Sequence, residues 1–289
     1  MHVVVQGAGG SADLDRYFGQ SADGDRAWLI AEAYHEAKRQ IPSPETRRRA
    51  REIAARAILW RARQVVGAAR RSAIPERLPY SVAGRGELLI EETLENIVGF
   101  GDAAVPRPED IIMEIREQKR VDAVLMIDTS LSMTGKNLAL AGVAAAVLAS
   151  KLHARDYSLV VFEGTATVTK PLNVGMSREQ AISRILEVPA MGYTNIEDAL
   201  KRGLEQLARG RNRDRLGILI TDGVYTAGED PVPWADKYPR LFVLMTEAYK
   251  MRRDLCYELA ERGHGRCFPV NDYSELPYAL SRLLREVLR

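Results

Sequence analysis

The sequence predicts an α/β fold in which a doubly wound, mostly parallel sheet follows a mainly α-helical N-terminal region. After residue 110, short apolar runs of strand length alternate with helical segments, an order typical of parallel sheets flanked by helices. Several of these runs are apolar throughout, as expected for strands buried on both faces. Before residue 111 the apolar residues follow helical spacing, interrupted by prolines and glycines. We therefore divide the chain into a helical region, 1–110, and a sheet domain, 111–289.

The N-terminal region contains three predicted helices. Apolar residues at helical spacing indicate a helix from Arg26 to Gln40 and a second from Pro44 to Arg71, for which Ser43 is the N-cap. A short amphipathic helix from Glu87 to Val98 precedes a linker rich in glycine and proline. One face of the second helix is rich in arginine: Arg47, Arg48, Arg49, Arg51, Arg56 and Arg63. Such a face is usually solvated, and binding of an acidic partner, RNA or anionic lipid is the minority interpretation.

The sheet domain alternates predicted strands and helices. The hairpin of Tyr157–Phe162 and Ala166–Leu172, turning at Gly164, adds one antiparallel edge strand. The other predicted strands are Ile111–Arg116, Val121–Ile127, Leu216–Thr221, Leu241–Met245 and Arg266–Val270. The predicted helices are Lys136–His153, Arg178–Leu186, Ile196–Ala208, Met251–Arg262 and Ser274–Leu288.

Composition narrows the class of protein. Charged residues make up 28% of the 289 residues and the net charge is only +2, which gives no strong attraction to nucleic acid or membranes. The two cysteines, Cys256 and Cys267, lack metal-type spacing and favour a reducing compartment. We see neither a signal peptide at the N-terminus nor an apolar run that suits a bilayer span. We therefore expect a cytoplasmic protein.

Polar side chains cluster where the predicted strands end. Asp128, Ser130 and Ser132 follow one apolar strand, Asp222 follows another, and Thr194 precedes a helix. Ligands of open α/β sheets bind outside the carboxyl ends of the strands, so these loops are expected to meet. All five side chains carry oxygen, which suits Mg²⁺, or Mn²⁺ or Ca²⁺, better than zinc or copper. The sequence therefore predicts a metal site.

The low negative charge of the direct ligands indicates that the bound metal could accept a ligand from a partner protein. If the hydroxyls of Ser130, Ser132 and Thr194 are the direct ligands, and Asp128 and Asp222 act largely through water, the cation is poorly neutralised. One coordination position would be open to an outside anion. A carboxylate from another protein is the occupant we favour.

The motif D-T-S-L-S at Asp128–Ser132, with Thr194 and T-D-G at Thr221–Gly223, resembles the metal-ion-dependent adhesion site (MIDAS) of von Willebrand factor A (VWA) domains. The resemblance extends from Val121 to Arg289 and implies the Rossmann-like VWA fold. It also implies direct coordination by the three hydroxyls, with both aspartates holding coordinated water. Many members have glycine where this chain has Leu131, a difference that concerns backbone shape and not ligands.

The segment before this domain carries a second resemblance. GELLIEETLENIV (Gly86–Val98) and the following RPEDIIMEIREQKRVDAVLMIDTS are similar to the corresponding region of intracellular prokaryotic VWA proteins. Those proteins, which include CoxE-like and magnesium chelatase D-like groups, are partnered with MoxR-type AAA+ ATPases. This resemblance implies an adaptor or co-chaperone whose partner is such an ATPase or its target. The chain itself lacks a Walker A motif, so we expect no ATP hydrolysis.

Other interpretations of the cluster remain. Asp128, Ser130 and Ser132 are also typical helix-capping residues, and Thr194 or Asn195 could cap the next helix. Two aspartates and a metal could serve a phosphohydrolase, but Ser130 stands where such an enzyme needs aspartate. The three loops also contain no histidine or cysteine to form a nucleophile–base pair. We therefore expect a binding module and no enzymatic activity.

Overall fold

The computed structural model describes residues 24–37, 41, 43–68, 76–84, 87–97, 106–115, 120–133, 135–188, 192–246 and 251–287. The strands are β1 (Glu76–Pro79), β2 (Glu87–Leu88), β3 (Ile112–Ile115), β4 (Val121–Asp128), β5 (Tyr157–Phe162), β6 (Ala166–Lys170), β7 (Asp214–Thr221), β8 (Leu241–Thr246) and β9 (Cys267–Val270). The helices are α1 (Gly24–Ala37), α2 (Pro44–Ala68), α3 (Tyr80–Ala83), α4 (Ile90–Ile97), α5 (Lys136–Lys151), α6 (Arg178–Glu187), α7 (Ile196–Leu207), α8 (Val232–Ala235), α9 (Arg253–Arg262) and α10 (Leu276–Val287).

The described residues form two compact units. The larger combines those before residue 71 with those from 120 to 287, and the smaller comes from 71–119. Helices α1 and α2 thus belong with the sheet, and β3 belongs to the smaller unit. The domain boundary predicted at residue 110 differs from the boundaries between these two units.

The larger unit contains a six-stranded sheet in the order β6-β5-β4-β7-β8-β9. All pairs are parallel except β5 with β6, so β6 is the antiparallel edge strand. The eight residues of β4 are all buried, as the mostly apolar run predicts, and the buried Asp122 within it accepts hydrogen bonds from Asn212 N and Nδ2. The α/β fold class, with one antiparallel edge strand and helices before the sheet, is confirmed. Because Ile127 lies opposite Ile220, the next residues, Asp128 and Thr221, reach the same edge.

Helices cover the sheet and one another. Helix α5 is buried along most of its length, and α2 packs against it and against α6. At Gly142 a Cβ atom would lie 3.1 Å from Ile58 Cδ1, so the glycine permits this close approach. Helix α1 is joined to the loop before α10 by the rings of Trp28 and Tyr273, stacked 3.8 Å apart between centroids.

The arginine-rich face of α2 is partly engaged in ion pairs. Arg49 pairs with Glu45 at 2.7 Å, and Arg48 lies 4.0 Å from Glu52 along the same helix. Arg51 instead pairs at 2.5 Å with Glu187, at the end of α6. These contacts give part of the arginine face a structural role.

The smaller unit contains a three-stranded antiparallel sheet, β1-β3-β2, of which only β3 was predicted as a strand, at Ile111–Arg116. Strands β1 and β2 have four and two residues, too short for a period-two pattern to be recognised. Glu87 and Leu88 pair with β3, so the predicted helix from Glu87 begins only at Ile90. Ile112 N donates to Thr93 Oγ1 at 3.0 Å and ties α4 to this sheet.

Within the described residues, none of the helices combines the length and the apolar character that a membrane crossing requires.

Candidate functional site

The carboxylate of Asp128 lies at the end of β4, without solvent exposure. Its Oδ1 accepts a hydrogen bond from Ser130 N at 2.9 Å, and its Oδ2 accepts one from the Thr221 hydroxyl at 2.7 Å. Burial raises the pKa of Asp128 to about 7, the hydrogen bonds from Ser130 and Thr221 oppose this rise, and the charge of Asp222 adds to it. A nearby cation would stabilise the ionised form of this carboxylate.

The two serines of the motif lie next to each other. Their hydroxyl oxygens are 3.0 Å apart, with Ser130 buried and Ser132 exposed. Leu131 lies between them and begins a 3₁₀ turn, Leu131–Met133, that includes Ser132. Among the described non-glycine residues, positive φ occurs only at Asn173 and His264. Leucine therefore replaces the usual glycine without backbone strain.

The helix-capping interpretation of this motif is wrong. Helix α5 has Gly135 as its N-cap residue, and no side chain caps it. At α7 the capping residue is Asn195, whose Oδ1 accepts from Asp198 N at 2.9 Å. Neither helix uses Ser130, Ser132 or Thr194 as its side-chain cap.

Thr194 is buried just before α7 and is held by the loop that follows β7. Its amide donates to Thr226 Oγ1 at 3.0 Å. Its carbonyl accepts from the amides of Thr226 and Ala227 at 2.9 and 3.1 Å. The support from Thr226 was not predicted, because no sequence pattern connects a threonine in this loop with Thr194.

Asp222 is fully buried after β7. Its Oδ1 accepts from Val224 N at 2.9 Å, whereas its Oδ2 has no hydrogen-bond donor among the described residues. Gly223 has a φ of 80°, and a Cβ atom there would lie 2.6 Å from Arg252 O and 2.7 Å from Cys256 Sγ. Glycine is therefore required at the turn that positions Asp222.

A second carboxylate oxygen in this region lacks a hydrogen-bond donor. Glu163 follows β5, and its buried Oε2 has no partner among the described residues. Asn195 N donates to Glu163 O at 2.7 Å, which places this backbone beside the Thr194 loop. The strand-end rule that identified Asp128 and Asp222 could also have indicated Glu163, but its isolated position in the sequence gave no motif.

The donor set fits a hard divalent cation. All five predicted side chains come from loops at one edge of the sheet, and all of them offer oxygen. Asp222 Oδ2 is a buried carboxylate oxygen without a donor among the described residues, an unfavourable arrangement that a cation would relieve. Among the described residues no group of three or more His, Cys, Asp and Glu is arranged to bind a metal. Hydroxyl ligands would therefore be needed to complete the coordination.

The nearby thiols are poor nucleophiles. Burial raises the pKa of Cys256, which lies beside Gly223, well above its ordinary value. Burial also raises the pKa of Cys267 to about 12. Both cysteines are free, so neither is held in a disulfide. At neutral pH they remain protonated thiols.

The comparisons with known proteins agree with this fold. Residues 123–224, which include all five site residues, match the family model described as von Willebrand factor type A domain. This match supports a VWA domain here, and VWA domains mediate protein interactions, many of them through a metal. Inter-alpha-trypsin inhibitor heavy chain H4 of Sus scrofa is 32% identical over 117 residues, 37% of this chain. The matched part spans only 13% of that relative's length.

Two solved structures share the fold. A von Willebrand factor type A protein from Catenulispora acidiphila is 16% identical, with a TM-score of 0.52, over 61% of this chain and 44% of its own. Proximal thread matrix protein 1 of the mussel byssus, in a form with a zinc-occupied MIDAS motif, is 22% identical. Its TM-score is 0.50, over 59% of this chain and 48% of its own. At these identities the likeness concerns the fold alone.

Proposed function

We propose that this chain is a metal-dependent protein-interaction module that holds Mg²⁺ at the edge of its sheet and binds an acidic residue of a partner. The observation that carries the proposal is the donor-free Oδ2 of Asp222 close to the buried carboxylate of Asp128. Ser130, Ser132 and Thr194 would hold the cation, and Asp128 and Asp222 would orient its water. The cation would supply an electrophilic position for the partner's carboxylate.

The identity of the bound metal is also a proposal. Oxygen ligands favour Mg²⁺, with Mn²⁺ and Ca²⁺ as alternatives. The MIDAS motif of the mussel protein holds zinc, so zinc belongs in the test. Calorimetric titration of the full chain with each cation should give the tightest binding for a hard cation, lost in Asp222→Asn. If Asp222→Asn binds Mg²⁺ as wild type does, the assignment of this site is wrong.

We further propose that the partner is a MoxR-type AAA+ ATPase or its target, and that the chain acts as a cytoplasmic adaptor without catalysis of its own. Support comes from the resemblance of Gly86–Val98 and the following segment to proteins with such partners. Both cysteines are free, as expected for a reducing compartment, and burial keeps the Cys256 thiol beside the site a poor nucleophile by raising its pKa.

The partner is tested with the MoxR-type ATPase of the same organism. The full chain should bind it in Mg²⁺, and binding should be lost both in EDTA and in Asp128→Ala. Circular dichroism verifies that this variant remains folded. Equal binding by wild type and Asp128→Ala, with and without EDTA, would exclude docking through the metal.

A further inference from the structure

Leu131 places an apolar side chain between two metal-site serines. Its side chain contributes no ligand, and the residue is 49% exposed. The backbone there has no positive φ, so the position requires no particular residue for conformational reasons. Coordination would be equally well served by a small side chain. The exposed leucine therefore adds an apolar surface directly beside the predicted cation.

Tyr193 adds a second exposed apolar surface, on the loop that precedes α7. It directly precedes Thr194 and is 66% exposed. A Cβ atom at Gly164 would lie 3.5 Å from Tyr193 Cβ, and one at Gly192 would lie 3.7 Å from Leu131 Cδ1. These distances place the Leu131 side chain close to Gly192, the residue before Tyr193, and the Tyr193 side chain close to Gly164. Both apolar side chains thus lie at the rim of one site.

The rim near Asp222 has a different character. Arg252 N donates to Asp222 O at 3.0 Å, and the Arg252 guanidinium lies 5.7 Å from the centre of the Tyr225 ring. The Arg252 guanidinium also donates to Asp254 Oδ2 at 3.2 Å in an ion pair, so this side of the rim is polar. The rim therefore combines a polar side with an apolar side, and is complementary to an acidic residue that has an apolar neighbour.

We infer that the partner segment presents its acidic side chain next to a large apolar residue, which packs on Leu131 and Tyr193. This inference rests on the proposed function, because the acidic side chain would have to reach the cation. Contacts that surround a central, desolvated interaction exclude water from it, and the apolar rim would do this for the carboxylate on the cation. The cation would then supply attraction for the carboxylate, and the rim would supply selectivity among acidic segments.

The test uses two dye-labelled peptides, each with one glutamate, flanked by leucines in one and by serines in the other. Fluorescence polarisation in Mg²⁺ should show wild-type chain binding the leucine-flanked peptide about tenfold more tightly, a difference of about 1.4 kcal/mol. The double variant Leu131→Ser, Tyr193→Ser should lose this preference and keep its Mg²⁺ affinity by calorimetry. Val174→Ser removes an equally exposed apolar side chain outside the three loops and should change nothing.

Three outcomes would overturn the inference. Equal, Mg²⁺-dependent binding of both peptides by wild type would exclude apolar selectivity and leave metal docking intact. A preference that persists in the double variant would place the selectivity elsewhere. If the chain binds Mg²⁺ but neither peptide, carboxylate docking fails and this inference fails with it.

Discussion

The hydroxyl of Thr221 donates a 2.7 Å hydrogen bond to Asp128 Oδ2 and also accepts one from Gly223 N at 3.1 Å. Thr221 thus connects the ends of β4 and β7 within the predicted metal site. One residue fixes both the Asp128 carboxylate and the turn that carries Asp222.

Replacing Thr221 with valine should therefore cost stability and metal affinity together. Valine keeps the shape but leaves Asp128 Oδ2 and Gly223 N without a partner, at a cost of about 1–3 kcal/mol in the free energy of unfolding. Urea denaturation measures the loss, and calorimetry should show weaker Mg²⁺ binding. Thr221→Ser retains the hydroxyl and serves as the control. Unchanged Mg²⁺ affinity in the valine variant would contradict this role.

Thr226 supports the backbone of Thr194. Thr226→Val leaves the amide of the buried Thr194 without its side-chain acceptor, at a cost of about 1–3 kcal/mol in the free energy of unfolding. The variant loses the acceptor for Thr194 N, and indirect support of this kind is typically worth about 10–100-fold in metal affinity. Calorimetric titration with Mg²⁺ would measure it, with Thr226→Ser expected to restore binding. A valine variant with wild-type affinity would show that Thr194 needs no such support.

Gly223→Ala should be among the most damaging single-methyl changes in the chain. Alanine would be strained at a φ of 80°, and its Cβ would meet Arg252 O and Cys256 Sγ within 2.7 Å. We expect a loss of about 2 kcal/mol or more in the free energy of unfolding. Gly164→Ala is the matched control, since its Cβ would make only an ordinary 3.5 Å contact. Equal stability of the two variants would contradict the expected clash.

The buried side chain of Lys170 should make the free energy of unfolding depend on pH. Its ammonium is buried, donates to Tyr157 O and lies 3.9 Å from the centre of the Tyr157 ring. Burial lowers the pKa of Lys170 from 10.5 to about 8. Between these values the unfolded chain binds more protons than the folded chain, so the contribution of Lys170 to stability rises with pH.

The measurement compares wild type with Lys170→Met by urea denaturation from pH 7.5 to 10. Other titrating groups are common to both proteins, so the difference isolates Lys170. Wild type should gain on the order of 2 kcal/mol relative to the variant as the pH rises. A difference that stays constant over this range would show that Lys170 keeps an ordinary pKa.

Much of the sheet and the candidate site could be predicted because their signals are local. The strands β4 and β7 each end in a mostly apolar, buried run, and the polar site residues follow where that run ends, at Asp128 and Asp222. The parallel register then brings these residues to one edge without further information. The structure places every predicted site residue in the loops at this edge.

What could not be predicted depends on contacts between distant segments. Strand β1 pairs with β3, Glu76 opposite Ile115, and strands so short carry no periodic pattern. The docking of α2 on α5 depends on Gly142 accepting Ile58, a contact that neither helix reveals by itself. The role of Thr226 could not be predicted either, because it depends on the position of Thr226 beside Thr194 in the folded chain.

The order of elements in the larger unit has a consequence for synthesis on the ribosome. Helices α1 and α2 are translated before the smaller unit, and the strands and helices that cover them come after it. Trp28 and Ile58 are each 1% exposed in the folded protein, but Ile58 lacks its packing surface until α5 has emerged, and Trp28 lacks its stacking partner until Tyr273 has. During that interval the nascent chain presents two apolar helix faces, the kind of surface that chaperones bind during translation.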